Sequence, residues 1–358
     1  MDRATRAVYE ASAQRWLAER SARNIDIARE LGGHSSGPSV DLGCGPGFHS
    51  AALAAPVVAL DVAHAMLALV PQLAPDALRV QADLAALPFR RGALGAAWAH
   101  HSYVHLARAD LPLALADLHR SLRVDARVVL RLFAGDEEGA PFADDDFPGR
   151  FFALWPPDDL QLVVRRAGFQ IDGFDIAEGA RGDTTILVRA TRAHALPDFT
   201  AGGLRLLLCG LNPSVHAADA GVGFVTGSNR FWPSAVAAGI VTRDRDPFDA
   251  VRRHRVGFTD LVKRATPRAD EVSTDEYRAG FAEVERIAAW LEPEVVCFVG
   301  LSGWRAAVDR KAVAGWQERT VGGRPAYVMP NPSGINARAT VPVIADHLRT
   351  AAAGPNLT

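Results

Sequence analysis

Two short stretches place an asparagine amide at the end of an apolar run: Leu211-Asn212-Pro213-Ser214 and Pro330-Asn331-Pro332-Ser333-Gly334-Ile335-Asn336. An amide orients water or reads a polar edge but is a poor proton acceptor, so it suits a reaction whose leaving group departs early. The preceding runs, Leu206 to Cys209 and Ala326 to Met329, read as strands. Each must stop at its tip, because proline cannot donate to a ladder and asparagine favours a turn. Open α/β sheets hold ligands at such carboxyl ends, so the two tips suggest one site with two walls.

A second set lies in the first half of the chain. Ser39 to Leu42 reads as a strand, followed by Gly43-Cys44-Gly45-Pro46-Gly47 and an alanine-rich stretch, 49–55, read as a helix. Such glycines let a ligand approach the backbone with no side chain between. A second strand, Val57 to Leu60, ends at Asp61, about 20 residues after Asp41, where an acid can accept both hydroxyls of a ribose. A third, Leu78 to Ala82, ends at Asp83, and a fourth, Gly95 to Ala99, runs into His100-His101-Ser102-Tyr103. His100, His101, Tyr103 and His105 are candidates for lining a second-substrate pocket with one histidine as general base, although ordinary strand-end residues would look the same. Asp41 precedes the loop, unlike the acid of a dinucleotide fingerprint.

The elements that must position these residues fill 358 residues, which favours two domains. Charged residues at 22% and hydrophobic ones at 49% describe a soluble globular chain, and the apolar runs fall short of the roughly 18 residues needed to span a membrane. Residues 1–30 lack the apolar core of a signal peptide, so a cytoplasmic location is expected. Cys44, Cys209 and Cys297 stand far apart in apolar segments and are expected to be reduced core residues; no CxxC pair or histidine spacing points to a metal. Residues 1–197 hold 20 basic and 24 acidic side chains and 198–358 hold 19 and 17, so only the second half leans towards an anionic partner. Val8, Tyr9, Trp16, Leu17 and Leu31 fall at loosely helical intervals, a lead-in placed to cover a pocket. Asp144-Asp145-Asp146 reads as a solvated loop, and 194–203 as a linker between domains at 1–193 and 204–358.

Acids at three successive strand ends around a glycine loop resemble class I S-adenosylmethionine-dependent methyltransferases, especially the branch acting on small molecules. The resemblance extends to the helix start Asp61-Val62-Ala63-His64-Ala65-Met66-Leu67, the step Leu87-Pro88-Phe89 and a closing βαβ segment from Pro156 to Arg189. It implies a doubly wound Rossmann-like sheet and S-adenosylmethionine as cofactor. Asp41, Gly43, Gly45 and Gly47 would surround the methionine portion, Asp61 would hold the ribose and Asp83 the adenine edge. No Asn-Pro-Pro-aromatic or Pro-Cys motif names the acceptor.

In the second half, Cys209-Gly210-Leu211-Asn212-Pro213-Ser214 is followed by Gly221-Val222-Gly223-Phe224, Asn229-Arg230-Phe231-Trp232, Gly257-Phe258-Thr259-Asp260-Leu261-Val262, Ala269-Asp270-Glu271-Val272-Ser273, Val295-Val296-Cys297-Phe298-Val299-Gly300 and Asn331-Pro332-Ser333-Gly334. This order resembles the mismatch-specific uracil/thymine branch of the uracil-DNA glycosylase superfamily. It implies a smaller three-layer α/β/α domain that flips a mismatched or damaged base out of double-stranded DNA. Asn212 would position water; Leu211, Phe224, Asn331 and Ser333 would hold the base; Gly334, Ile335, Asn336 and Arg338 would meet DNA, with Ile335 filling the gap in the stack. Asn229, Arg230 and Trp232 would brace the site from behind. Ser214 replaces the usual glycine, and Ile-Asn-Ala-Arg replaces Leu-Ser-Arg with an apparent one-residue insertion.

The expectation is a bifunctional enzyme: base excision from DNA plus methyl transfer to an acceptor the sequence does not name. Two alternatives stay open: both domains acting on one small molecule such as a modified nucleoside, or a damage-recognition module that recruits the methyltransferase.

Overall fold

The computed structural model describes residues 2–140, 142, 145–179, 182–268 and 271–355. The chain divides into two compact units, Met1–Arg165 with Phe169–Ala193, and Arg166–Gly168 with His194–Thr358.

The first unit is built on a seven-stranded sheet. β1 (Ser39–Leu42) pairs in parallel with β2 (Val57–Asp61) on one side and β4 (Leu94–His100) on the other. β3 (Leu78–Gln81) extends one wing and β5 (Leu122–Phe133) the other, both in parallel. The strand order therefore reverses at β1, the switch point where doubly wound sheets open a crevice beyond their carboxyl ends. β1 and β2 are buried along their whole length, which explains why their sequences are near-continuous apolar runs rather than alternating ones. Two helices, Arg3–Glu19 and Ile25–Gly32, precede the sheet.

Two expectations change here. The stretch 49–55 holds only a 3-10 turn, Ser50–Ala52, because Pro56 disfavours helix in the residue before it and β2 begins at once. The segment after Pro156 is a helix, Pro157–Arg166, followed by β6 (Phe169–Glu178) and β7 (Thr184–Arg192). β7 runs antiparallel to both β5 and β6, so the segment closes as a hairpin rather than as a parallel βαβ crossover. Alternation along a strand shows which face is buried, not which way the strand runs.

The second unit is a five-stranded α/β sheet. β8 (Leu206–Gly210) pairs in parallel with β9 (Val256–Asp260) and with β10 (Val295–Val299). β12 (Ala326–Met329) pairs in parallel with β10, and β11 (Gly315–Trp316) closes the edge antiparallel to β12. The Asn-Pro tips of β8 and β12 thus flank the end of β10. All three cysteines are free and buried. The stretch expected as a linker, 194–203, is partly built into this unit: Ala195 to Thr200 are buried and Phe199 bridges Phe258. Asp198 accepts from Lys263 Nζ at 2.7 Å and Thr259 Oγ1 at 2.9 Å, so its polarity serves a buried cluster rather than solvent.

Candidate functional site

At the tip of β8, Asn212 is held by three groups. Its Nδ2 donates to Thr266 Oγ1 at 2.7 Å and to the carbonyls of Arg264 and Pro213, each at 3.3 Å. The Thr266 hydroxyl gives its own proton to the Arg268 carbonyl at 2.7 Å, so towards Asn212 it can only accept. All three partners are therefore acceptors, which fixes the amide with its nitrogen inward and leaves Oδ1 without a partner among the described residues. A half-buried carbonyl oxygen held this way can accept a hydrogen bond from water.

Ser214 does local work. Its Oγ accepts the Ala217 N–H at 3.1 Å as the N-cap of the helix Val215–Ala220, which gives a physical reason for serine where the resembling enzymes carry glycine.

Phe224 has a φ of 57°, an uncommon backbone for a bulky residue. Its ring stacks on Phe231 with centroids 4.3 Å apart, and the Gly223 carbonyl before it accepts from Trp232 Nε1 at 2.9 Å. A Cβ on Gly210 would lie 3.5 Å from Phe224 Cζ, which brings the ring to the end of β8. Leu211 packs over Gly303 of the helix Leu301–Ala307.

The second tip is a compact turn. Asn331 Oδ1 accepts the Ser333 N–H at 2.9 Å and the Asn331 carbonyl accepts from Asn336 Nδ2 at 3.2 Å, leaving Asn331 Nδ2 as a free donor among the described residues. Gly334 lies against Ser228 so closely that a Cβ would collide with it. Arg230 ties the turn down: its N–H donates to the Pro332 carbonyl at 2.9 Å, and its guanidinium donates to the carbonyls of Asn336 and Ala339 at 2.9 and 3.1 Å. On this braced loop Ile335 is 96% exposed and Arg338 is exposed with no partner among the described residues.

In the first unit, a cavity of about 620 Å³ opens beyond β1, β2 and β4. Gly43, Gly45 and Asp61 line it; Asp41, Gly47 and Asp83 do not. Gly43, Gly45 and Gly47 all have positive φ, and a Cβ on Gly43 would overlap Ser102. Asp61 accepts the N–H groups of Gly45 and Ala63 at 2.9 and 2.8 Å; burial raises its pKa while these bonds oppose the rise. Asp41 lies behind the loop, accepting from Ser50 Oγ at 2.7 Å, and burial lifts it to about 7. Asp83 is turned into its own chain, where Oδ1 accepts the Ala85 N–H at 2.9 Å. It therefore does not stand at the cavity as expected.

Of the acceptor-pocket candidates, His100, His101 and His105 line the cavity and Tyr103 does not. Tyr103 sits in a short 3-10 turn that aims it into the core, where it is 1% exposed. Burial holds His101 near 3 and His105 near 4, so both are neutral. His105 Nδ1 donates to the Phe151 carbonyl at 2.7 Å, so Nε2 accepts the Tyr9 hydroxyl at 2.7 Å, and Arg150 donates to that hydroxyl at 2.9 Å. Asp145, read as part of a solvated loop, forms a mostly buried ion pair with Arg150 at the cavity, and Asp146 pairs with Arg20 at 2.6 Å; Asp144 lies outside the described residues. Tyr9 and Trp16, from the helical lead-in, form another wall. No sequence signal marks Thr266, Arg150 or Arg131 as site residues, because each arrives from a distant segment.

Residues 40–130 match the model of the methyltransferase domain family, and residues 197–349 match that of the uracil DNA glycosylase superfamily. Among solved structures, an S-adenosylmethionine-dependent methyltransferase from Methanosarcina mazei is similar at 17% identity, covering 49% of this chain and 99% of that one, with a TM-score of 0.41. The 1,6-didemethyltoxoflavin-N1-methyltransferase of Burkholderia thailandensis, solved with 1,6-didemethyltoxoflavin and S-adenosylhomocysteine, is similar at 19%, covering 52% and 87%, with a TM-score of 0.43. A TehB-like methyltransferase from Corynebacterium glutamicum is similar at 21%, covering 52% and 98%, with a TM-score of 0.40.

Proposed function

We propose, for a chain that joins a methyltransferase domain to a domain of the uracil DNA glycosylase superfamily, that the second unit hydrolyses the N-glycosidic bond of uracil-like or mismatched bases in double-stranded DNA. The observation that carries this reading is the inward-locked amide of Asn212. Its Oδ1 accepts one proton of a water, whose oxygen then attacks the sugar carbon as the bond to the base breaks. The water's oxygen stays on the sugar and its proton balances the departing base. A poor base suffices because the sugar has already become oxocarbenium-like when water adds. Phe224 offers its ring as a stacking platform, a contact worth roughly 1 to 3 kcal/mol per base. Asn331 Nδ2 supplies a donor for a base carbonyl, beside Leu211 and Ser333. Ile335 enters the stack where the base has left it, with Gly334, Asn336 and Arg338 alongside on the DNA.

In the first unit, the positive-φ glycines and Asp61 fit S-adenosylmethionine, which supplies an electrophilic methyl group when bound. Gly43 and Gly45 expose backbone to its methionine portion, with Gly47 and Asp41 supporting the loop, and Asp61 meets the ribose. His100 and His101 face the acceptor.

The test is incubation of the protein and its Asn212→Ala variant with duplexes holding G:U, G:T or an ethenocytosine, scored for abasic sites. Excision by the original alone is expected. Tight binding without excision by either protein would leave a recognition module, and activity on free nucleosides only would remove DNA as substrate.

A further inference from the structure

Two guanidiniums in the first unit's cavity form no ion pair among the described residues, although Asp183 lines the same cavity. Arg131, at the end of β5, donates from Nη2 to Thr185 Oγ1 at 3.0 Å, while its buried Nε has no partner. Arg23, exposed in the segment between the first two helices, lines the same cavity. Neither has a carboxylate of the described residues within 4.0 Å, unlike Arg20 and Arg150, which are both paired. They also act on each other: burial lowers the Arg131 pKa, Asp183 opposes the shift and the charge of Arg23 adds to it.

Beside them His101 is neutral, its Nε2 buried without a partner, on a backbone with a φ of 55°. Its ring lies 4.3 Å from Phe133, which meets Phe142 at 5.0 Å, and Phe142 meets Phe152 at 5.0 Å. One side of this locus therefore holds two guanidiniums, with the buried Arg131 Nε unpartnered and Asp183 as the acid that acts on Arg131, and the other is aromatic. Two like charges facing one hollow gain from a further anion between them, and a guanidinium's planar fork pairs bidentately with a carboxylate.

We infer that the methyl acceptor is a small organic acid with a planar apolar body, its carboxylate held by Arg131 and Arg23 and its ring laid against Phe133. This rests on reading the cavity as a methyl-donor site and names the class of its second substrate.

Calorimetry on the full chain, with saturating S-adenosylhomocysteine, tests it with benzoate and indole-3-carboxylate against benzamide and benzylamine. The carboxylates should bind at least about tenfold more tightly than the neutral and cationic probes. Arg131→Gln should weaken carboxylate binding by about tenfold with S-adenosylhomocysteine affinity kept within about twofold, and Arg131→Lys should recover part of the loss. Should Arg131→Gln lose both ligands, Arg23→Gln, at an exposed position, carries the same expectation. Carboxylates that bind no better than benzamide, or binding unchanged in these variants, would overturn the inference. Failure of the intact chain to bind S-adenosylhomocysteine would instead overturn the methyl-donor reading beneath it.

Discussion

Asn212 Nδ2 lies 2.7 Å from Thr266 Oγ1, a hydroxyl that has already given its own proton to the Arg268 carbonyl. A threonine 54 residues away thereby supplies the shortest of the three acceptors that fix which end of the amide faces the site.

Thr266→Val removes that acceptor while keeping the shape. The amide then keeps only the two 3.3 Å bonds to the Pro213 and Arg264 carbonyls and is held more loosely, and excision should fall by about tenfold, the effect of one lost positioning bond of roughly 1.4 kcal/mol. Single-turnover kinetics on a G:U duplex measures it. A rate equal to the original would show that Thr266 does not set the amide.

Ile335 is almost wholly exposed, so Ile335→Ala should leave thermal stability within about 0.5 kcal/mol of the original. Excision from duplex should drop while excision from single-stranded DNA stays, since only a duplex has a stack to fill. Equal losses on both substrates would remove the wedge role.

The Arg230 guanidinium holds the carbonyls of Asn336 and Ala339, so Arg230→Gln should loosen the loop that carries Ile335 even though the backbone bond to Pro332 stays. Hydrogen exchange at 332–339 should quicken and duplex affinity should fall several-fold. Unchanged exchange there would mean the loop holds itself.

Asp41 titrates near 7 because burial outweighs the Ser50 hydrogen bond. Its folded pKa lies above the unfolded value of about 3.9, so the folded state keeps the proton longer and stability is lost as pH rises from about 4 to about 7. Asp41→Asn should therefore gain on the original across that window, by on the order of a few kcal/mol. His101 and His105 work in the opposite sense over part of the range, so the measurement is the difference between the two proteins in urea unfolding at each pH. A difference that does not grow with pH would contradict the assignment.

What the sequence made legible was whatever a short stretch encodes by itself. The strands ending at Asn212 and Asn331 and the glycine turn after Asp41 each follow from adjacent residue types, and the structure has these local shapes. What escaped depended on direction or distance. Tyr103 points into the core because a 3-10 turn intervenes after β4, and Asp83 bends to its own backbone. The Asp145–Arg150 pair and the Asn212–Thr266 bond join segments whose meeting only the fold decides.

The burial of Asp198 bears on where the chain can be divided. A fragment begun at Leu204 would leave Thr259 and Lys263 facing a hole where a carboxylate had been, and would strip Phe199 from Phe258. Limited proteolysis should accordingly spare Ala195 to Thr200, and a second unit produced alone should keep both this stretch and Arg166, whose Nε donates to Asp198 Oδ2 at 2.9 Å.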